Sequence, residues 1–150
     1  MFNFKAKQMF SKDIGIDLGT TTVLVYVEGK GVVLNEPSVV AVNTDTDMIT
    51  KVGKDAQVMI ERYPEIIDVI RPLANGVISQ YEVTQKMIQY FIRRACGGNI
   101  FQPKVIICIP TGSTEVEERA VIDAGTQAGA RKTYLIEEPV AAALGAGIDI

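Results

Sequence analysis

The apolar positions of the chain follow one period in its first third and another in its second half. Residues 14–17 (Ile-Gly-Ile-Asp) and 23–27 (Val-Leu-Val-Tyr-Val) are β-rich runs. The short polar turn Leu18-Gly19-Thr20-Thr21-Thr22 separates them, so the pair reads as a hairpin. A third run over 31–34 follows the Glu28-Gly29-Lys30 turn, and a three-stranded meander therefore opens the fold. Residues 39–42 read as a further strand, 43–47 (Asn-Thr-Asp-Thr-Asp) as a turn, and 49–52 as a strand returning antiparallel. A short helix is expected over 54–62.

Beyond residue 80 the spacing becomes helical. Val83, Met87, Ile88, Phe91, Ile92 and Ala95 fall on one face of an amphipathic helix that Gly97-Gly98 ends. The run 104–109 is continuously apolar after Lys104, the pattern of a strand covered on both faces. Thr114, with Glu117 three residues later, predicts a capping box at the start of a second helix. Val116, Ala120, Val121, Ala124 and Ala128 are its expected buried face, and Gly129 stops it. Residues 133–136 read as a strand, and Pro139 suits the first position of a third helix that runs to Leu144. The order predicts an α/β fold with a mixed sheet flanked by helices. Its expected organisation is a basic, aromatic segment over 1–12, a large subdomain over 13–32 and 72–150, and a small inserted α+β lobe over 33–71.

Composition narrows the functional classes. The chain has 150 residues, 47% of them hydrophobic, 22% charged, with a net charge of −3. It holds no histidine, which excludes histidine-based general-base catalysis and most zinc chemistry. The acidic balance leaves no basic face for phosphate backbones and argues against a nucleic-acid module. Cys96 and Cys108 lack metal-ligand spacing and read as reduced thiols in a cytosolic protein. No apolar run approaches the roughly 20 residues that span a bilayer. Charge is uneven: Lys5, Lys7 and Lys12 stand in the first twelve residues without an acid, which leaves −6 on the other 138. Phe2 and Phe4 lie among those lysines, so the segment is either a peripheral anchor for an anionic bilayer or a terminus packed on the domain.

Three places hold candidate chemistry. At Asp17-Leu18-Gly19-Thr20-Thr21-Thr22, a carboxylate ends a buried strand, and Gly19 with successive N–H groups and hydroxyls suits a phosphate cradle. Asp17 would there face Mg²⁺ through water. The alternative is an ordinary Thr-rich hairpin turn. No Gly-x-x-x-x-Gly-Lys-Ser/Thr motif is present, so a P-loop fold is not supported. Glu137 and Glu138 lie between a strand and the Pro139 helix, at a strand's carboxyl end where open α/β sheets bind ligands. One of them either positions a water for attack on a phosphate or caps the helix, and Glu137 is the better capping residue. In the Gly-, Asn- and Pro-containing loop 97–103, Ile100-Phe101 is an apolar pair either folded under the domain or exposed to a membrane or partner.

Taken together, these residues resemble the actin/sugar-kinase/chaperone ATPase superfamily, whose ribonuclease-H-like halves face a nucleotide. The turn from Asp17 to Thr22 is similar to its first phosphate loop, and Glu138-Pro139-Val140-Ala141-Ala142-Ala143 to its first connecting segment. More specifically, the chain resembles the bacterial actin-like cell-shape proteins of the MreB family and its Mbl-type paralogues. The likeness runs through residues 13–20, 29–41, 70–73, 76–78 and 135–147. It implies an actin-like, ATP- and Mg²⁺-dependent filament protein. Such a protein is cytoplasmic, self-associates, lies on the inner face of the membrane and works with the cell-wall elongation machinery. By the same likeness Asp17 serves the Mg²⁺ side, Gly19 with Thr20, Thr21 and Thr22 binds phosphates, and Glu138 positions water. Ile100-Phe101 falls where the family places an apolar loop against the bilayer. Where the family has Ala-Asn after Gly-Thr, this chain has Thr21-Thr22.

The resemblance also implies that the chain corresponds to the family's first half, with the second phosphate loop following shortly after Ile150. A slow ATPase is then expected of the full-length protein, and weak or no ATP binding, hydrolysis or polymerisation of this half alone. A small-molecule kinase and a DnaK-type chaperone ATPase of the same superfamily are the rival readings, and a lobe over 33–71 is small for a kinase's substrate domain.

Overall fold

The computed structural model describes residues 12–63, 65–74, 77–97 and 102–148. Phe2, Phe4, Ile100 and Phe101, the expected membrane contacts, lie outside the described residues. In chain order the elements are β1 (Ile14–Leu18), β2 (Thr22–Val27), β3 (Gly31–Pro37), β4 (Val40–Asn43), β5 (Ile49–Val52) and α1 (Lys54–Arg62). There follow β6 (Ile67–Ile70), β7 (Leu73–Ala74), β8 (Val77–Ile78), α2 (Tyr81–Cys96), β9 (Lys104–Ile109), α3 (Glu115–Gln127), β10 (Lys132–Glu137) and α4 (Glu138–Gly145).

The main sheet has the order β10-β9-β1-β2-β3. β1, β2 and β3 form the expected antiparallel meander, whereas β9 and β10 join the other side of β1 in parallel. Alternate residues of each strand point to one covered face: Ile14, Ile16 and Leu18 of β1, Val23, Val25 and Val27 of β2, and Val105, Ile107 and Ile109 of β9 are all buried. α2 supplies the facing layer with Val83, Met87, Ile88, Phe91 and Ile92. Burying each of the larger side chains contributes about 1.5–3 kcal/mol. Gly97 ends α2 in the left-handed conformation. α3 begins with the capping box of Thr114 and Glu117 and lies against β9 and β10.

β3 continues in register with β2 as far as Pro37, opposite Thr22. Residues 33–37 therefore belong to the main sheet rather than to the lobe. The lobe proper is an antiparallel sheet of order β5-β4-β6 with α1 on one side. Val39, Ala41, Ala56 and Ile67 form its own small core, while Val40, Val42 and Val52 face the main core. β6 is a strand that the sequence pattern did not announce.

The pattern misleads at three further places. The apolar run of β9 is not covered on both faces, because Ile106 is 43% exposed. Tyr26, Gly15, Ile106 and Tyr134 stand in register across four strands and form a row on the open face. Val116 is 79% exposed and Ala120 half-buried, since burial along α3 starts only at Val121 and continues at Ala124. α4 starts at Glu138, and none of its residues is buried despite their small size. Among the described residues no helix is long and apolar enough to cross a membrane.

Candidate functional site

Three parallel strands, β1, β9 and β10, end side by side, and the candidate residues gather at those carboxyl ends. The registers place Asp17 beside Cys108 and Cys108 beside Ile136, so Asp17 and the thiol share the open face of the sheet. β10 runs directly into α4, with Glu137 at the N-cap and Glu138 as the first helical residue. Burial pushes the Cys108 thiol up to about 11, and the negative charges of Asp17 and Glu138 add to the effect. Asp17 and Glu138 thus lie at neighbouring strand ends on the same side as this thiol. Glu137 sits at the cap without a side-chain capping hydrogen bond. Both cysteines are free and half-buried.

The turn after β1 is tight. A Cβ at Gly19 would lie 2.6 Å from the carbonyl oxygen of Thr22, so only glycine allows the chain to fold back this closely. Thr20 and Thr21 are exposed and Thr22 is half-buried, leaving hydroxyls at the strand ends. The Thr21 carbonyl accepts a hydrogen bond of 2.9 Å from the Ser38 N–H, which ties the turn to the chain entering the lobe. Asp17, Gly19, Thr20, Thr21, Thr22 and Glu138 are therefore brought to one end of the sheet.

The opposite wall is built by residues distant in the chain, and no local motif announces it. A cleft of about 550 Å³ separates the turn from the lobe, with Thr21, Thr22, Lys54, Gln57 and Arg71 among its lining residues. Lys54 opens α1 and Arg71 follows β6, so the two cations face the threonine turn only once the lobe has folded. The cleft also holds Glu36, which is 2% exposed. Its carboxylate accepts a hydrogen bond of 3.1 Å from the Lys54 N–H and pairs with Arg94 of α2 at 2.6 Å. Gly53 has φ +67°, and a Cβ there would strike Glu36. Glu36 thereby joins the main sheet, the lobe and α2.

The residues fit a phosphate and the cation it carries. Among the described residues no three metal-ligating side chains cluster as a cage. One or two carboxylates at an open strand end suit Mg²⁺, which keeps waters and takes further ligands from substrate phosphates.

The model of the family described as MreB/Mbl protein matches residues 11–150. The chain belongs to the MreB/Mbl family. It is 47% identical over 152 aligned residues to the cell shape-determining protein MreB of Pasteurella multocida (strain Pm70), covering 97% of this chain and 43% of that protein. It is 48% identical over 143 residues to the cell shape-determining protein Mbl of Bacillus subtilis (strain 168), covering 95% and 43% respectively. The chain thus spans less than half the length of these MreB/Mbl relatives. The crystal structure of MreB5 of Spiroplasma citri bound to ADP superposes with a TM-score of 0.80 at 36% identity, covering 93% of this chain and 42% of that one. The MamK double helical filament matches with a TM-score of 0.78 at 20% identity, over 91% of this chain and 44% of that one, which supports the actin-like fold alone.

Proposed function

We propose that this MreB/Mbl chain is the nucleotide-facing first half of an ATP-dependent actin-like filament protein. In this reading the full-length protein lies on the inner face of the cytoplasmic membrane and helps set cell shape by organising cell-wall synthesis. The observation that carries the reading is the convergence of Asp17, the Gly19–Thr22 turn and Glu138 at the carboxyl ends of three adjacent parallel strands. The solved MreB5 neighbours, bound to ADP and to AMPPNP, support a nucleotide as the ligand.

The backbone N–H groups and hydroxyls of Thr20 to Thr22 bind phosphate oxygens at the turn that Gly19 keeps open. Lys54 and Arg71 offset phosphate charge from across the cleft. Asp17 orients water around the nucleotide's cation. Mg²⁺, when bound with ATP, supplies neutralisation of the charge that develops on the phosphates. Glu138 accepts a hydrogen bond from the attacking water and holds it in line. Phe2, Phe4, Ile100 and Phe101 are the proposed bilayer contacts, and neither the kinase nor the chaperone alternative gains support from the family match.

The test is co-sedimentation of full-length protein with vesicles containing phosphatidylglycerol, with and without ATP. ATP-dependent filaments on the vesicles are expected, and serine at positions 2, 4, 100 and 101 should release them to the supernatant as filaments. Absence of filaments with ATP sinks the cytoskeletal reading, while vesicle binding that survives the four substitutions sinks the proposed contacts.

A further inference from the structure

The wall of the phosphate cleft carries one charge of the wrong sign for its ligand. Among the described residues that line the cleft, Glu36 is the one acid, set beside the cations Lys54 and Arg71. A carboxylate near bound phosphates repels them, and at 2% exposure water screens this one little. Its partner comes from outside. Glu36 stands opposite Val23, a residue buried on the face that α2 covers, so β3 turns the carboxylate towards that helix. There Oε1 pairs with Arg94 at 2.6 Å, while Oε2 accepts the Lys54 N–H at 3.1 Å. Arg94 is not part of the cleft lining. Tyr90, one turn earlier on α2, holds the guanidinium in place: its hydroxyl accepts a hydrogen bond from Arg94, and its ring centroid lies 5.7 Å from Cζ.

We infer that Arg94 is a positioning residue for nucleotide binding: from outside the cleft it neutralises Glu36 and so leaves Lys54 and Arg71 free for phosphate. This role rests on the nucleotide reading of the cleft. Removing one partner of a buried pair leaves the other charge uncompensated. Without Arg94 the carboxylate either repels the phosphates or draws Lys54 or Arg71 onto itself. In both cases the cleft loses the attraction of one positive charge, although no residue in contact with the nucleotide has changed. Arg93, the neighbouring cation on α2, has no acid partner among the described residues and carries no such role.

The probe is MgATP, titrated calorimetrically into the full-length protein at low ionic strength. Arg94→Gln is expected to weaken binding about five- to tenfold. Adding Glu36→Gln to that variant removes the uncompensated charge and should restore the affinity to within about threefold of the original. Glu36→Gln alone breaks the same pair, yet should bind MgATP no more weakly than the unsubstituted protein. It also keeps the inference testable if Arg94→Gln fails to fold. Arg94→Lys retains the charge and should keep most of the affinity, and Arg93→Gln, which removes a charge one residue away, should leave it unchanged. A merely structural pair predicts otherwise: Glu36→Gln weakened as much as Arg94→Gln, and a double variant no better than either. That pattern overturns the inference, as does full affinity in Arg94→Gln or an equal loss in Arg93→Gln. In each of these cases the unsubstituted protein still binds MgATP, whereas its failure to bind overturns the nucleotide reading as well.

Discussion

Glu36 offers the most informative perturbation of the fold, because one carboxylate holds three elements together. It is 2% exposed, 2.6 Å from Arg94 and hydrogen-bonded to the Lys54 N–H. Removing one partner of a fully buried pair costs about 3–5 kcal/mol, and an exposed pair contributes about 0–1 kcal/mol. Arg94 is 45% exposed, so water replaces part of the interaction and the pair falls between these limits. Glu36→Gln, which keeps an oxygen for Lys54, is expected to lower stability by about 1–2 kcal/mol. Glu36→Ala also orphans that N–H and opens a small void, for about 2–4 kcal/mol. The assay is urea unfolding of Glu36→Gln, Arg94→Gln and the double variant. A coupling of about 1 kcal/mol is expected from the cycle. Coupling indistinguishable from zero, or Glu36→Ala no less stable than Glu36→Gln, would refute the view that this carboxylate fastens the lobe to α2.

Three further outcomes rest on local geometry and burial. Cys108, raised to about 11 from an ordinary 9.0, should have a thiolate fraction at pH 8 about a hundredfold below an unhindered thiol. Iodoacetamide labelling should therefore be slow, and Asp17→Asn or Glu138→Gln should each speed it by removing a neighbouring negative charge. A rate unmoved by both would contradict their convergence. The raised thiol also holds its proton in the folded state after the unfolded chain has lost it. Stability from this source is full below about pH 9 and declines as pH rises towards 11, readable as a falling unfolding midpoint whose slope Cys108→Ala reduces, the half-buried Cys96 thiol adding a decline of the same sign. Thr114→Ala removes the cap of α3 and should cost about 1 kcal/mol by urea unfolding. An unchanged midpoint would show the box to be idle.

Local pattern carried much of this fold into the sequence. The β1–β2 hairpin, the apolar face of α2, the Thr114 capping box and the individual strands β9 and β10 are each written within a short stretch of chain. The site turn was legible for the same reason, as Asp17 to Thr22 is one contiguous motif. What escaped depends on residues far apart. β6 is a four-residue strand, Ile-Asp-Val-Ile, whose identity comes from pairing with β4 rather than from its own period. Lys54 and Arg71 reach the cleft only through the lobe's packing, and Glu36 meets Arg94 across 58 positions of chain. The apolar Ile106 and Val116 were expected to be buried because hydrophobicity reports a preference for burial, not the presence of a covering element.

In the proposed mechanism Glu138 positions the hydrolytic water beside a nucleotide held at the Asp17–Thr22 turn. Single-turnover ATP hydrolysis by full-length protein carrying Glu138→Gln, with nucleotide affinity measured in parallel, tests it most directly. Loss of general-base positioning predicts a rate lower by about 10²–10⁴-fold with affinity held within a few-fold. Hydrolysis at the unsubstituted rate, with nucleotide bound, would contradict the account.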